Sequence, residues 1–260
     1  MRGEHATDRR VLRVSGEDRA AFLQGLVSND LRRLAEGPIY AALLTPQGKY
    51  ISDFLLLDQG DAILMDIHAD RAEDLLRRLQ MYRLRRKVEI AATDLAVLRG
   101  LGTPPPDAVW DPRHAALGWR RYVTEDEAKN ADPPGIDWDG IRVANCIPET
   151  GVELIPDQSF ILECGFERLK GVDHRKGCYV GQEVTARMKH KTELRKGLVT
   201  VQVEGAAAPG DTITADGKPA GTLHTRAGDR AIAYLRFDRA GGELRAGDAT
   251  VRWADAETVS

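Results

Sequence analysis

The sequence predicts an α+β fold built mostly from antiparallel sheets. Short apolar segments recur along the chain with turn-forming residues between them, which is typical of antiparallel strands joined by tight connections. Two longer segments, one after Asp18 and one across residues 71–84, space their apolar residues as helices do. After Gly197 the segments shorten and glycine or proline separates them, which indicates a small C-terminal β-barrel or sandwich.

The elements follow from these patterns in order. Strands are predicted at residues 11–14, 39–44, 50–57, 62–67, 88–90, 95–101 and 118–123, and later at 198–203, 212–215, 220–225, 231–237 and 249–253. Ser15 and Asp18 have capping-box spacing before the first helix, and a short helix is predicted at 138–147. The helix at 71–84 is expected to bury its leucines, Leu75, Leu76, Leu79 and Leu84.

Composition indicates an ordinary globular protein of 260 residues, 42% hydrophobic and 30% charged, with a net charge of -3. No apolar stretch reaches the length of a membrane span, and the N-terminus is too polar for a signal peptide. Three widely spaced cysteines argue against a disulfide framework and fit a reducing compartment. We therefore predict a cytoplasmic protein with no membrane partner.

The densest motif is Lys-Gly-Cys-Tyr-Val-Gly-Gln-Glu at residues 176–183. Nearby cations favour the thiolate form of Cys178, and Gly177 and Gly181 permit a positive φ or a close approach. Residues 168–196 contain nine cationic and three acidic side chains, which points to an anionic ligand or partner. Two alternatives remain open here: a buried, inert Cys178, and a metal site drawn from Cys164, His174, Cys178 and His190.

This motif, followed by Arg187, resembles the signature of the YgfZ-type folate-binding proteins, relatives of the T-protein aminomethyltransferase of the glycine cleavage system. Other segments agree in order, among them Thr45-Pro46-Gln47-Gly48-Lys49 with Asp53, Tyr82-Arg83-Leu84-Arg85, and Gly151-Val152-Glu153-Leu154. The segment 186–191 is most similar to the branch that assists assembly of [4Fe-4S] proteins.

The resemblance implies a three-lobed cloverleaf around a central tetrahydrofolate channel. Its lobes would be residues 1–44 with 136–194, a ferredoxin-like α+β lobe at 45–135, and a β-barrel at 195–260. Glu153 would accept hydrogen bonds from the pterin edge, as the matching acid does in the T-protein. The remaining expected folate contacts are Asp53, Tyr82, Arg83, Arg85, Tyr179, Gln182 and Arg187, with the arginines suited to the glutamate tail and the tyrosines to ring stacking.

The function implied is that of a tetrahydrofolate-binding accessory protein for assembly or repair of [4Fe-4S] proteins, with Cys178 and Lys176 as the reactive pair. Cys178 would ligate a transient cluster, form a mixed disulfide or assist one-carbon chemistry. Assembly factors or client enzymes are the expected partners, and we take a monomer as the default state.

The alternative function is a tetrahydrofolate-dependent aminomethyltransferase or demethylase. It would require Asp53, Glu73 or Asp74 at the folate N5 position, and neither Glu73 nor Asp74 matches the T-protein motif cleanly. We therefore do not expect a conventional enzyme. An RNA surface formed by residues 77–87 and 168–196 is a third interpretation; because no RNA-binding motif is present, we do not expect direct nucleic-acid binding.

Overall fold

The computed structural model describes residues 2–190 and 193–253. The chain divides into two compact units, Met1–Ile136 with Phe166–Val184, and Asp137–Gly165 with Thr185–Ser260. No helix in the described part of the chain is long and apolar enough to cross a membrane. Lys191, at the end of the segment that resembles the [4Fe-4S] branch, lies outside the described residues.

The first unit contains a five-stranded antiparallel sheet in the order β3-β4-β5-β2-β6. The strands are β2 (Arg9–Ser15), β3 (Ile39–Leu44), β4 (Tyr50–Asp58), β5 (Ala62–His68) and β6 (Glu89–Ala92). Every residue of β3 is buried, as its uninterrupted apolar sequence predicts. The five strands confirm the predicted segments, with ends that differ by a few residues.

Helices pack against this sheet and complete its core. They are α1 (Arg19–Gln24), a 3-10 helix (Leu31–Glu36) and α2 (Ala69–Arg83). Phe22, Leu23, Leu75 and Leu79 join the buried cluster of the sheet. Two predictions fail here. Leu84 lies beyond the end of α2 and is exposed. Ser15, the expected N-cap of the capping box, is the last residue of β2, and the residue that precedes α1 is Asp18, which makes no side-chain cap. The Asp18 carboxylate accepts the N–H of Lys87.

A second antiparallel sheet of the first unit has the order β1-β7-β9-β8. Its strands are β1 (Glu4–His5), β7 (Leu95–Gly100), β8 (Val109–Trp110) and β9 (Trp119–Thr124), followed by α3 (Glu125–Ala128). The strands β1 and β8 were not predicted, because a two-residue strand leaves no alternation to read. The indole of Trp119 is fully buried in this sheet.

The second unit contains α4 (Trp138–Ala144) and a closed six-stranded barrel in the order β10-β13-β12-β11-β14-β15. The barrel strands are β10 (Lys196–Glu204), β11 (Thr212–Ala215), β12 (Lys218–Ala227), β13 (Arg230–Arg236), β14 (Leu244–Ala246) and β15 (Ala249–Arg252). Because β10 pairs with both β13 and β15, the sheet closes. The predicted barrel is therefore confirmed, with β14 added. The helix α5 (Gln182–His190) precedes the barrel and was not predicted.

The α+β class is confirmed. Leu44, where the first segment of the expected discontinuous lobe ends, is the last residue of β3, and residue 45 begins the connection to β4 in an antiparallel hairpin. Ladder hydrogen bonds join these two strands in one sheet. The three-lobe division stays a prediction.

Candidate functional site

The loop at residues 171–181, called the cysteine loop below, presents an exposed thiol. Residues 171–181 form turns and irregular backbone ahead of α5, and the free cysteine Cys178 is exposed. Gly177, beside it, lines a cavity of about 490 Å³ together with Ala20, Ala21, Gln24, Leu31 and Arg32. The structure therefore resolves one open question, because Cys178 is not a buried structural cysteine.

Lys176 anchors this loop from inside the first unit. Its Nζ donates to the main-chain carbonyls of Gln24 at 2.8 Å, Val27 at 2.6 Å and Asn29 at 2.9 Å. Three acceptors match the three N–H bonds of an ammonium group. Burial lowers the pKa of Lys176 to about 8, although the nearby carboxylates of Asp30 and Asp173 oppose that shift. Lys176 is therefore placed to hold the loop.

Two polar residues complete this attachment. The Ser28 hydroxyl donates to the Gly171 carbonyl at 2.6 Å, and the Asn29 amide donates to the Lys170 carbonyl at 2.7 Å. Both side chains are buried. The sequence analysis did not identify Ser28 or Asn29; two polar residues directly after an apolar helical stripe were the available signal.

Two of the segments that carry the family resemblance meet at Gly181. This glycine has a φ of 84°, and a Cβ built on it would lie 2.6 Å from the Thr45 carbonyl oxygen. A Cβ on Gly48 would lie 2.8 Å from that of Val184. The Thr45–Gly48 turn and the cysteine loop thus pack at a distance that only glycine allows. Gly177, in contrast, has open space around its Cα and no positive φ.

The other predicted residues of this motif are differently placed. Tyr179 is buried, with the Lys176 ammonium 5.0 Å from its ring centroid, so the ring packs internally. Gln182 is partly buried at the first residue of α5, and Arg187 is exposed in its last turn. Tyr82, Arg83 and Arg85 lie at the C-terminal end of α2 and line a separate cavity.

Asp53 lies inside the five-stranded sheet. Its Oδ2 accepts the Tyr40 hydroxyl at 2.9 Å and its Oδ1 accepts the Tyr50 hydroxyl at 2.7 Å. Asp53 is only 3% exposed, and burial together with its charge raises the pKa of Tyr40 well above the ordinary value. Both oxygens of this expected folate contact therefore already have partners within the protein.

Glu153 lies in the second unit and is also fully bonded. Its Oε1 accepts the N–H and the hydroxyl of Thr225, at 3.2 and 2.6 Å. Its Oε2 accepts Arg142 Nη1 at 3.1 Å and the Glu149 N–H at 2.9 Å. A carboxylate offers about four lone-pair sites, so none is left for a pterin edge. The arrangement of Glu153 does not fit the expected recognition of the pterin edge, whereas a contact between Asp53 and folate stays a prediction.

A buried ion-pair network was missed by the sequence reasoning. Asp66 accepts Arg9 Nε at 2.7 Å and Arg120 Nη1 at 2.9 Å, and Asp111 accepts Arg113 and Arg120. Burial by itself raises the pKa of Asp66 and Asp111, but the arginine charges outweigh it and hold both values below the ordinary one. No sequence spacing links these residues, because they come from four separate segments.

The remaining cysteines are less accessible than Cys178. Cys164 is buried, and burial raises the pKa of its thiol to about 12. Cys146 is partly buried. Both lie in the second unit, whereas Cys178 and His174 lie in the first. His174 pairs with Glu167 at 3.0 Å.

Comparisons with known proteins agree with this architecture. The model of the CAF17 C-terminal beta-barrel domain matches residues 195–259. The mitochondrial iron-sulfur cluster assembly factor IBA57 of Mus musculus is 31% identical over 281 residues, which cover 91% of this chain and 78% of that protein. The chain belongs to the IBA57 family of iron–sulfur cluster assembly factors. The resemblance found in the sequence is thereby confirmed for iron–sulfur assembly; the YgfZ name is not confirmed.

Further IBA57 relatives extend the match. The Homo sapiens IBA57 is 30% identical, with 91% of this chain and 78% of that protein covered. The Mycosarcoma maydis IBA57 homologue is 31% identical, and this chain spans 60% of its length. The crystal structure of the glycine cleavage system aminomethyltransferase T from Bartonella henselae superposes with a TM-score of 0.75 at 13% identity, covering 95% of this chain and 82% of that one. That likeness confirms the predicted T-protein-like fold.

The prediction of a cytoplasmic protein is wrong by these comparisons, because the IBA57 relatives are mitochondrial proteins. Three widely spaced cysteines fit any reducing compartment and do not select the cytoplasm.

Proposed function

We propose that this IBA57-family protein assists the assembly of iron–sulfur proteins through the thiol of Cys178. The observation that carries the proposal is the exposure of Cys178 on a loop that Lys176 and Gly181 fix on either side. A thiolate is a soft ligand suited to iron, and a fixed loop lowers the entropy cost of bringing it to a partner.

Cys178 would contribute one ligand to an iron–sulfur cluster, which limits how the site can bind it. Iron in a cluster takes several sulfur ligands, and Cys178 supplies one. Cys146 and Cys164 lie in the other unit and are partly or fully buried. We infer that the cluster is shared, with the remaining ligands from a partner assembly factor or client. The cavity that Gly177 lines offers space for that partner one residue away from Cys178.

Folate has no role in the proposed function of Cys178. The expected pterin acceptor Glu153 and the expected contact Asp53 already bond to this chain's own donors. Tetrahydrofolate binding stays a prediction, and titration of the purified protein with tetrahydrofolate tests it. Absence of binding would remove folate without affecting the role of Cys178.

The aminomethyltransferase alternative receives no support from the acids it requires. Asp74 pairs with Arg71 at 2.8 Å, Arg78 at 2.9 Å and Arg77 at 3.5 Å, and Asp53 bonds to two tyrosines. Glu73 is exposed on α2. The fold similarity to the aminomethyltransferase, at 13% identity, carries no activity with it.

The test is complementation in cells that lack their native IBA57-type protein. The Cys178→Ser variant is expected to fail to restore the activity of [4Fe-4S] enzymes, while Cys146→Ser restores it. Both variants must accumulate to the level of the unchanged protein. Full rescue by Cys178→Ser would overturn the proposal.

A further inference from the structure

Exposed apolar side chains cluster at the end of α2. Among the described residues five large apolar side chains are exposed, and three of them are Met81 at 62%, Tyr82 at 36% and Leu84 at 85%. Single exposed apolar residues need no explanation, but a cluster of this kind marks a contact surface. We call residues 81–87 the basic tip.

The backbone holds Leu84 outward at a cost. Its φ of 47° and ψ of -114° follow directly after the last residue of α2, in a region that a glycine enters far more easily. The side chain gains no packing in return, since 85% of Leu84 is exposed. A strained residue that presents its apolar group to solvent is typical of a binding position.

The basic tip also carries uncompensated positive charge. Residues 81–87 contain four cations and no acid, in a chain with a net charge of -3. Lys87 pairs with Glu17. In the described part of the chain, Arg85 and Arg86 are exposed and make no salt bridge.

A cavity of about 470 Å³ lies among these cations. Tyr82, Arg83, Leu84, Arg85, Arg86 and Asp18 line it. Asp18 is its one carboxylate, and that group accepts the Lys87 N–H at 2.8 Å. Three guanidinium groups around such an opening suit a phosphate, which arginine binds through paired hydrogen bonds.

We propose that the basic tip docks this protein on the surface of an anionic phospholipid membrane. Leu84 and Met81 enter the interfacial region, and Arg83, Arg85 and Arg86 bind headgroup phosphates. A lipid surface provides apolar and anionic contacts together, which matches an outward-pointing leucine ringed by arginines. An acidic polypeptide fits less well, because it supplies anionic contacts but no continuous apolar layer for Leu84, which is 85% exposed. The expectation of no membrane partner considered only spanning segments.

Flotation of the purified full-length chain with vesicles tests the proposal independently of cluster assembly. The protein is expected to bind vesicles of equimolar phosphatidylcholine and phosphatidylglycerol, to bind pure phosphatidylcholine vesicles far less, and to be released by salt. Arg85→Ser with Arg86→Ser should weaken binding by about fivefold per arginine. Leu84→Asn should weaken it by roughly tenfold, and asparagine tolerates the positive φ, so folding is not at risk.

The matched control is the pair Arg33→Ser with Arg230→Ser, which removes the same charge at exposed sites elsewhere. This pair should leave vesicle binding within about twofold of the unchanged protein. Failure to bind the anionic vesicles would overturn the proposal, as would equal losses in the tip and control variants. Binding of poly-L-glutamate through Arg85 and Arg86 without vesicle binding would assign the tip to an acidic polypeptide and also overturn it.

Discussion

The Lys176 ammonium donates to the carbonyl of Val27 across 2.6 Å, although 149 positions separate the two residues. This hydrogen bond, with those to Gln24 and Asn29, attaches the cysteine loop to the last residue of α1 and to the segment after it. A side chain that bears on a candidate thiol through the backbone is a positioning residue. Replacement of Lys176 should therefore change the conformational restraint of the loop directly, and the reactivity of the Cys178 thiol only through the loop.

Removal of the Lys176 ammonium should loosen the loop. In Lys176→Ala the three buried carbonyls lose their donor, and each unsatisfied group costs roughly 1–3 kcal/mol. We expect a protease of broad specificity to cut folded Lys176→Ala near residues 174–178 much faster than it cuts the unchanged protein. The control is Arg175→Ala, whose side chain is exposed. Equal cutting of both variants would show that the attachment does not restrain the loop.

The three thiols should react in a fixed order. Alkylation of the native protein near pH 8 is expected to modify Cys178 first, then Cys146, and Cys164 last. Cys178 is exposed, whereas burial protects Cys164 and raises the pKa of its thiol to about 12. Peptide mass spectrometry over time measures the order. Early labelling of Cys164 would contradict the described core of the second unit.

Gly181 and Gly177 should differ sharply in their tolerance of a methyl group. Gly181→Ala places Cβ 2.6 Å from the Thr45 oxygen at a φ of 84°, so the backbone must shift. We expect the free energy of unfolding to fall by about 2–3 kcal/mol, as overpacking and a strained φ together predict. Gly177→Ala meets open space and should change it by less than about 0.5 kcal/mol. Urea unfolding compares the two.

Glu153 should prove to be a structural residue of the second unit. Glu153→Gln places an amide N–H₂ against donors from Arg142 and Thr225, which breaks a buried pair and should cost about 3 kcal/mol of unfolding free energy. The control Glu149→Gln removes a carboxylate 3.9 Å from Arg142 and should cost less than about 1 kcal/mol. An unchanged free energy of unfolding in Glu153→Gln would again allow this residue to be a ligand contact.

The buried aspartates predict how stability depends on pH. Burial alone would raise the pKa of Asp66 and Asp111, but the adjacent arginines hold both folded-state values below the ordinary value of 3.8. The unfolded chain therefore binds more protons in acid, and the free energy of unfolding should fall as the pH drops below about 4.

Asp111→Asn should flatten this acid dependence, because asparagine does not titrate. The control is Asp61→Asn, at a side chain 78% exposed, which should leave the profile nearly unchanged. Urea unfolding at several pH values makes the comparison. An unchanged slope in Asp111→Asn would show that the network does not govern acid stability.

Local patterns predicted the strands of this protein well, because alternation, apolar runs and turn residues report burial and backbone preference within a few positions. The same local patterns predicted the ends of helices less accurately. The leucine periodicity of α2 placed Leu84 inward, but the helix ends at Arg83 and the next residue turns away. Two-residue strands gave no pattern at all.

The sequence by itself determined the α+β class, the C-terminal barrel and the prominence of the Cys178 motif. Only the tertiary structure decided that Lys176 holds the loop, that Gly181 is required while Gly177 is not, that Glu153 has no lone pair to spare, and that Asp53 accepts two tyrosine hydroxyls. The reason is physical. A buried polar group must find its partners wherever the fold brings them, and the partners of these residues include groups far away along the chain.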